Sequence, residues 1–178
     1  MKNQKLSQYT KYIVLNILVA AISAILLVNY VAAAYKIRGD SMNSVLKDEE
    51  RVIISRLALK TGVIDRFDIV VLHKPNEPGK SIIKRVIGLP GEIIEIKDGD
   101  VYIDNKKLEQ PFLAGKEYPP YKKDTLNPLL IQQDHYFVMG DNREVSQDSR
   151  NFGPVPAKFI FGKTIFRYWP LSRLGKIQ

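Results

Sequence analysis

The chain has 178 residues and a formal net charge of +8 at pH 7, a length sufficient for one domain with a hydrophobic core, or for a membrane anchor and one domain. It contains no cysteine, which excludes disulfides, thiol catalysis and cysteine-based metal sites. Its two histidines, His73 and His135, lie far apart, so we expect no metal and no cofactor. Lysine and arginine never occur in blocks longer than two, so we expect no nucleic-acid partner; dispersed positive charge near an anionic membrane surface is the simpler interpretation.

The N-terminal part of the chain contains 24 residues without a charge, from Tyr12 to Tyr35. As a helix this segment would span about 36 Å, enough to cross a hydrocarbon core of about 30 Å. It is apolar all round, whereas a helix packed on a core has a polar face. A cleavable signal peptide is the alternative, but its hydrophobic region is usually shorter, about 7–15 residues. We therefore expect an uncleaved transmembrane anchor at residues 12–35, preceded by a tail at residues 1–11.

Beyond Arg38 the sequence consists of short β-branched runs separated by turn signals, a pattern typical of strands. No helical periodicity of useful length follows the anchor, so we predict a mainly β domain over residues 36–178. Asp98-Gly99 lies between two apolar runs and predicts a hairpin. Residues 105–133 include a polar, proline-containing stretch, which predicts a loop or a small lobe. The predicted strands are residues 51–55, 68–73, 81–88, 92–97, 101–104, 135–139 and 159–168.

The first segment that could carry chemistry is Gly39-Asp40-Ser41-Met42, shortly after the apolar segment. A nucleophilic serine at this place would lie close to a membrane surface. A serine in a turn is more often only a turn residue, so this segment alone indicates little.

The second segment is the predicted strand at residues 81–88. Strand alternation places Ile82, Lys84 and Val86 on one face and Arg85 among isoleucines on the other. One interpretation is an edge strand whose long basic side chains reach water or protect the edge. The other is a lysine buried among aliphatic groups, where desolvation lowers its pKa so that the neutral amine can act as a base for a serine. The residues alone leave both interpretations open.

The third segment, residues 140–153, is dense in hydrogen-bonding side chains directly after an apolar strand. It contains two aspartates, two arginines and two serines at close spacing and ends in Phe152-Gly153. A solvated loop rarely needs this combination, so we interpret the segment as a network that supports a site.

Together the three segments resemble the type I signal peptidases. The similarity spans almost the whole chain, and five sequence boxes follow the family's order, a combination far more specific than any one box. The boxes are residues 39–42, 50–52, 66–71, 84–91 and 140–153. The short form with a single anchor is similar to the enzymes of Gram-positive bacteria.

The resemblance implies a serine protease that uses Ser41 as nucleophile and neutral Lys84 as general base, the Ser-Lys variant of the serine-protease plan. Ser146 would hydrogen-bond and orient the lysine, and the Ser41 backbone N–H would supply one oxyanion donor. Ion pairs and hydrogen bonds would brace the site through Asp141, Arg143, Asp148 and Arg150, with Arg85 as a further partner.

Two departures from the family pattern lie beside the nucleophile. Gly39 replaces a serine that donates to the oxyanion in some members, so a second donor must come from elsewhere, such as the main chain. Asn43-Ser44-Val45 replaces the usual x-Pro-Thr, which should loosen the turn and could alter substrate choice. Because both dyad residues are present, we expect activity.

The resemblance also implies the substrate and the location. Signal peptides of secreted preproteins present small residues in an Ala-x-Ala pattern before the cut, which calls for shallow apolar pockets; our candidates are Met42, Ile53, Ile82 and Val86. The lipid bilayer and the secretion translocon are the expected partners. The N-terminus would be cytoplasmic and the catalytic domain would lie on the extracytoplasmic face of the cell membrane.

Three other functions compete with this one. A self-cleaving repressor-type Ser-Lys domain is soluble, and the anchor argues against it. A non-catalytic signal-peptidase-like factor for pilus or surface-protein assembly would be indicated by loss of Ser41 or Lys84, and both remain. A membrane-tethered β adhesion module would leave residues 140–153 and the Lys84 strand unexplained.

Overall fold

The computed structural model describes residues 2–30, 32–43, 45–57, 64–113 and 124–177. A helix, α1, runs Lys2–Tyr30 and is followed by a mainly β domain, as the sequence predicts. Within these described ranges, no helix combines the length and the apolar character needed to cross a membrane.

The C-terminal end predicted for the anchor, residue 35, is wrong. The helix ends at Tyr30, and Ala32–Lys36 forms the first strand, β1, instead of continuing the helix to residue 35. Strand β1 pairs antiparallel with the strand at Arg51–Ser55, with Ala33 opposite Ile54. Ala33 and Tyr35 pack against a buried aliphatic cluster, so tertiary packing prevails over the apolar run that suggests helix.

The described residues form twelve strands, and all seven predicted strands are confirmed to within one residue at each end. Short helices follow the later strands: a one-turn helix, α2, at Ser149–Phe152, and 3-10 turns at Pro111–Leu113, Ala157–Phe159 and Leu171–Arg173. The strands are β1 Ala32–Lys36, β2 Arg51–Ser55, β3 Ile69–His73, β4 Ser81–Gly88, β5 Ile93–Lys97, β6 Asp100–Ile103, β7 Lys106–Lys107, β8 Leu126–Leu130, β9 His135–Met139, β10 Val155–Pro156, β11 Ile160–Trp169 and β12 Gly175–Lys176.

The larger sheet has eight strands in the order β1-β2-β11-β3-β4-β9-β10, with β12 paired to β11. Strand β4 lies inside this sheet and is hydrogen-bonded to β3 on one side and to β9 on the other. The edge-strand interpretation of residues 81–88 is therefore wrong, because both neighbours are present and the strand is almost entirely buried.

The smaller sheet has four strands in the order β7-β6-β5-β8. Its β5–β6 hairpin turns at Asp98-Gly99, where both residues have positive φ angles of 48° and 89°, the backbone that such two-residue turns require. Strand β8 falls within the stretch 105–133, for which the sequence predicts a loop or small lobe. Residues 114–123 of that stretch lie outside the described residues.

Three clusters of buried aliphatic and aromatic residues form the core. One of them contains Ile37, Met42 and Leu46 together with residues of β2, β3 and β4. Full burial of such a side chain stabilises the fold by about 1.5–3 kcal/mol. The turn between Ile37 and Leu46 is therefore anchored to the sheet at both ends.

Candidate active site

Ser41 lies on the turn that follows β1, and the core fixes this turn. Met42 and Leu46 are both fully buried, and the Leu46 N–H donates to the Met42 carbonyl at 2.7 Å. The Asn43 N–H donates to the Asp40 carbonyl at 3.1 Å. The φ angle of Gly39 is +86°, a conformation that glycine adopts without strain, so the chain can turn sharply just before the serine.

Lys84 reaches Ser41 from the middle of β4. Its Nζ lies 2.7 Å from Ser41 Oγ and donates to the Ile83 carbonyl at 3.0 Å; within the described part of the chain it makes no other hydrogen bond. The residue is only 3% exposed. Desolvation lowers its pKa from 10.5 to about 8; the cations Lys74 and Arg150 also lower it, while Asp148 and Asp141 oppose the shift. A neutral amine is therefore accessible near neutral pH.

Arg85, the next residue on β4, has a different environment. It is 1% exposed, and its guanidinium donates to both oxygens of Asp141, at 2.8 and 2.7 Å. It also donates to the Phe67 carbonyl at 2.9 Å and lies 4.1 Å from the ring centroid of Phe112. A bidentate, fully buried pair of this kind holds two elements in a fixed arrangement. It joins β4 to the start of the segment after β9.

The segment at residues 140–153 is fixed by Asp148, which is fully buried. Its carboxylate caps α2 and accepts from the Gly140 N–H at 2.9 Å, and Arg150 donates to both of its oxygens at 2.8 Å. Arg143 donates to the Gly140 carbonyl at 3.0 Å. The segment touches the nucleophile turn directly, because the Asn142 N–H donates to the Ser41 carbonyl at 3.0 Å.

Gly140 begins the segment 140–153 that the sequence singles out, but the sequence predicts no role for it. A Cβ atom at this position would lie 2.6 Å from the Ser41 carbonyl oxygen and would overlap Ser146. No larger residue fits unless the nucleophile turn or the segment 140–153 shifts. The glycine directly follows β9, which ends at Met139, but sequence alone does not reveal what it approaches.

Known proteins are similar to this chain over most of its length. The family model described as signal peptidase, peptidase S26, matches residues 10–169. The chain belongs to this family. It is 36% identical to signal peptidase I S of Bacillus subtilis (strain 168) over 182 residues, which cover 98% of this chain and 95% of that protein. It is also 36% identical to signal peptidase IB of Staphylococcus aureus (strain Mu50) over 172 residues, 89% of each chain.

A solved structure is similar as well. The crystal structure of a signal peptidase I from Enterococcus faecalis V583 aligns with a TM-score of 0.50 at 35% identity, covering 57% of this chain and 96% of that one. As a member of the signal peptidase family, the chain is a serine endopeptidase, a hydrolase.

Ser41 and Lys84, the two residues predicted to react, both line an open cleft of about 360 Å³. Of the four predicted pocket residues, Ile82 lines this cleft. Met42 and Val86 do not, because each is fully buried in a core cluster. Ile53 lies on β2 opposite Ala34 and Phe166, outside the cleft lining. The lining residues are Gly39, Asp40, Ser41, Lys74, Lys80, Ile82, Lys84, Val145 and Gln147.

Ser146 differs from its predicted role in one respect. Its Oγ is buried and makes no hydrogen bond with any described residue, so the expected bond to Lys84 is absent in this structure. Lys84 instead uses the Ile83 carbonyl and the nucleophile itself. The structure also adds Val145 and Gln147, which lie in the segment 140–153 but have no predicted role, and Lys74, to which no sequence motif points. Among the described residues no cluster of three or more histidine or carboxylate side chains could hold a metal ion.

Proposed function

We propose that this chain is a membrane-anchored serine endopeptidase that removes N-terminal signal peptides from secreted preproteins, with Ser41 as nucleophile and Lys84 as general base. The observation that carries the proposal is the 2.7 Å contact between Lys84 Nζ and Ser41 Oγ, made by a lysine that is 3% exposed. The names of its relatives, signal peptidases I S and IB, support the same reaction.

The reaction follows from this contact. Neutral Lys84 accepts the Ser41 hydroxyl proton while Oγ attacks the scissile carbonyl carbon. The ammonium then protonates the leaving amine, which releases the mature protein and leaves the signal peptide as an ester on Ser41. Lys84, neutral again, takes a proton from water as the water oxygen attacks the ester, and it then returns that proton to the departing Ser41 Oγ, which frees the serine and releases the signal peptide as a carboxylic acid.

The oxyanion that forms on the carbonyl needs donors close to Ser41. The Ser41 backbone N–H makes no hydrogen bond with the described residues, so it can donate to the oxyanion. The Gly39 N–H cannot serve without rearrangement, because it donates to Asp48 Oδ1 at 2.7 Å. We assign the second donor to another main-chain group.

Ser146 takes a role later in the cycle. A buried hydroxyl without a partner is unfavourable unless it has a use, and active sites are where such groups concentrate. Once Ser41 is acylated it no longer offers Lys84 a hydroxyl. We therefore propose that Ser146 hydrogen-bonds and orients Lys84 at that stage, while Asp141, Asp148, Arg143, Arg150 and Arg85 brace the surrounding segment.

The substrate preference is an Ala-x-Ala pattern before the cut. The cleft beside Ser41 is lined by Ile82 and Val145, with Gly39 close to the nucleophile, so it offers shallow apolar surface. Such surface suits alanine, and larger side chains gain little from it.

The anchor proposal rests on the uncharged segment from Tyr12 and on the exposure of its side chains. Ile13, Leu18 and Ile25 are 59%, 53% and 58% exposed, as are others on every side of α1, so the rest of the domain does not cover them. A bilayer would. In this arrangement the N-terminus is cytoplasmic and the catalytic domain lies outside the membrane, beside the secretion translocon. We expect such a protein to resist alkaline extraction from membranes.

The deciding experiment uses the purified full-length protein in detergent and a preprotein with an Ala-x-Ala site. We expect one cut, directly after the second alanine, identified by sequencing the N-terminus of the product. Ser41→Ala should not cut, and replacing the second alanine by phenylalanine should protect the preprotein. A product formed equally well by Ser41→Ala, with the protein otherwise free of protease, would contradict the proposal.

A further inference from the structure

Lys74 occupies the same cleft as the dyad. It directly follows β3, whose last residue, His73, is paired with Ser81 at the start of β4. The Lys74 backbone N–H donates to the Lys80 carbonyl at 2.8 Å and closes the hairpin that leads to Lys84. The backbone of Lys74 is therefore fixed by the same hairpin that carries the proposed base.

The side chain of Lys74 is also fixed. It is 8% exposed, its Nζ is paired with Glu77, and it donates to Gln147 Oε1 at 2.8 Å. Gln147 belongs to the segment after β9 and lines the cleft from the other side. The Lys74 ammonium therefore bridges the hairpin and the opposite segment, within the cleft that contains Ser41 and Lys84.

We propose that Lys74 is a positioning residue for the dyad, a fixed cation that disfavours a second positive charge on Lys84 and so keeps its amine available as a base. The inference rests on the proposed Ser41–Lys84 dyad. Its physical basis is the repulsion between like charges, which is strong where water is excluded and which activates lysines beside other cations.

The other charges around Lys84 are matched locally. Asp141 is paired with Arg85, and Asp148 with Arg150, so each unit carries little net charge. Lys74 has only Glu77 as ion-pair partner among the described residues, and that carboxylate is 43% exposed and shared with Lys80. Water screens an exposed charge well, so the Lys74 ammonium is the cation least compensated at the site. The direction of each effect on the pKa of Lys84 follows the charge of the neighbour: the cations Lys74 and Arg150 lower this pKa, and the carboxylates Asp148 and Asp141 raise it.

The test is the pH dependence of kcat/KM for preprotein cleavage by the full-length protein. In Lys74→Met the acid limb should move to higher pH by about half a unit, the size expected for charges several ångströms apart in a partly solvated site. At pH 7 this is about a threefold loss of kcat/KM, and the alkaline plateau should not change. If Lys74→Met folds poorly, Lys74→Gln replaces it in the test. This variant keeps hydrogen-bonding capacity without the charge and should give the same shift of the acid limb.

Two controls isolate the charge. Lys74→Arg keeps the cation and should leave the limb in place. Lys80→Met removes a cation that also contacts Glu77 and lines the cleft but is 57% exposed, so the limb should again stay. A folded Lys74→Met or Lys74→Gln enzyme whose limb does not move overturns the inference, whether or not its plateau falls. Lys84→Ala, assayed beside them, separates the two failures: activity there would refute the dyad itself.

Discussion

The two faces of β4 carry neighbouring basic residues in opposite environments. Lys84 and Arg85 are 3% and 1% exposed, so burial does not distinguish them. Arg85 contacts both oxygens of a buried carboxylate, whereas Lys84 contacts a hydroxyl and a carbonyl. A buried guanidinium stays charged and, paired with a carboxylate, becomes part of the framework, whereas a buried lysine with only neutral hydrogen-bond partners can lose its proton and act as a base. At equal depth of burial, the kind of side chain and its partners decide the chemistry.

The largest effect should come from Lys84→Met. We expect kcat/KM for preprotein cleavage to fall by at least about 10³-fold, because Lys84 is the only described residue whose side chain hydrogen-bonds Ser41 Oγ. The folded state should be more stable than wild type at pH 7 by about 1–3 kcal/mol, since a poorly solvated ammonium is replaced by an apolar side chain of similar length. Urea unfolding and cleavage assays on the same preparation test both parts.

A methionine one residue later, in Arg85→Met, should have the opposite effect on stability. Arg85→Met leaves Asp141 buried without its bidentate partner, and we expect the free energy of unfolding to fall by about 3–5 kcal/mol. The double variant Arg85→Met with Asp141→Leu should recover much of this loss, because it leaves no uncompensated charge. If Arg85→Met unfolded at the same urea concentration as wild type, the framework role of Arg85 would be wrong.

The titration of Lys84 should also appear in stability. The unfolded chain titrates near the ordinary value of 10.5 and the folded protein near the lowered pKa of about 8, so between these pH values the unfolded state binds more protons. The free energy of unfolding should therefore rise with pH across this window, by about 3 kcal/mol relative to Lys84→Met. A pH-independent difference between the two proteins would contradict this linkage.

Gly140→Ala tests the contact between the two sides of the site. The added Cβ would meet the Ser41 carbonyl oxygen at 2.6 Å, so the nucleophile turn or the segment must shift. We expect a loss of about 1–3 kcal/mol in stability and a drop of about 10²-fold in kcat/KM. Gly39→Ala is the control for adding a methyl group nearby, since a Cβ there meets no atom within 4 Å and only backbone strain is introduced.

A smaller effect on activity than that of Gly140→Ala should come from Ser146→Ala. We expect kcat to fall by about 10-fold with acyl-enzyme accumulating and kcat/KM little changed, because Lys84 loses its orienting partner only after Ser41 is acylated. Stability should stay within about 1 kcal/mol of wild type, since the hydroxyl makes no hydrogen bond with the described residues. A large loss of stability would show instead that Ser146 serves the fold.

The sequence predicts the strands that carry the site well. Alternating β-branched runs locate the strands that carry the site, and the family resemblance singles out Ser41 and Lys84, which the structure brings to 2.7 Å. Local pattern fails where partners are distant in the chain. It cannot tell that β4 is paired on both sides, which decides between a surface lysine and a buried one.

The missed features have the same physical origin. Met42 and Val86 are apolar residues near or on the predicted site, but their side chains point into core clusters. Lys74 belongs to no motif, and it meets Gln147 of the segment 140–153 only because the β3–β4 hairpin faces the segment after β9. The strand at Ala32–Lys36 looks helical in isolation and is recruited by pairing with β2.

The most direct test of the difference between the two faces is the titration of Lys84 itself. Lysine labelled with ¹⁵N in the full-length protein in detergent micelles would give an Nζ signal that Lys84→Met identifies by its absence. We predict that this signal titrates with a pKa of about 8, well below the ordinary lysine value of 10.5. A Lys84 signal that titrates near 10.5 would contradict it, because the amine would then be charged throughout the working range and could not activate Ser41.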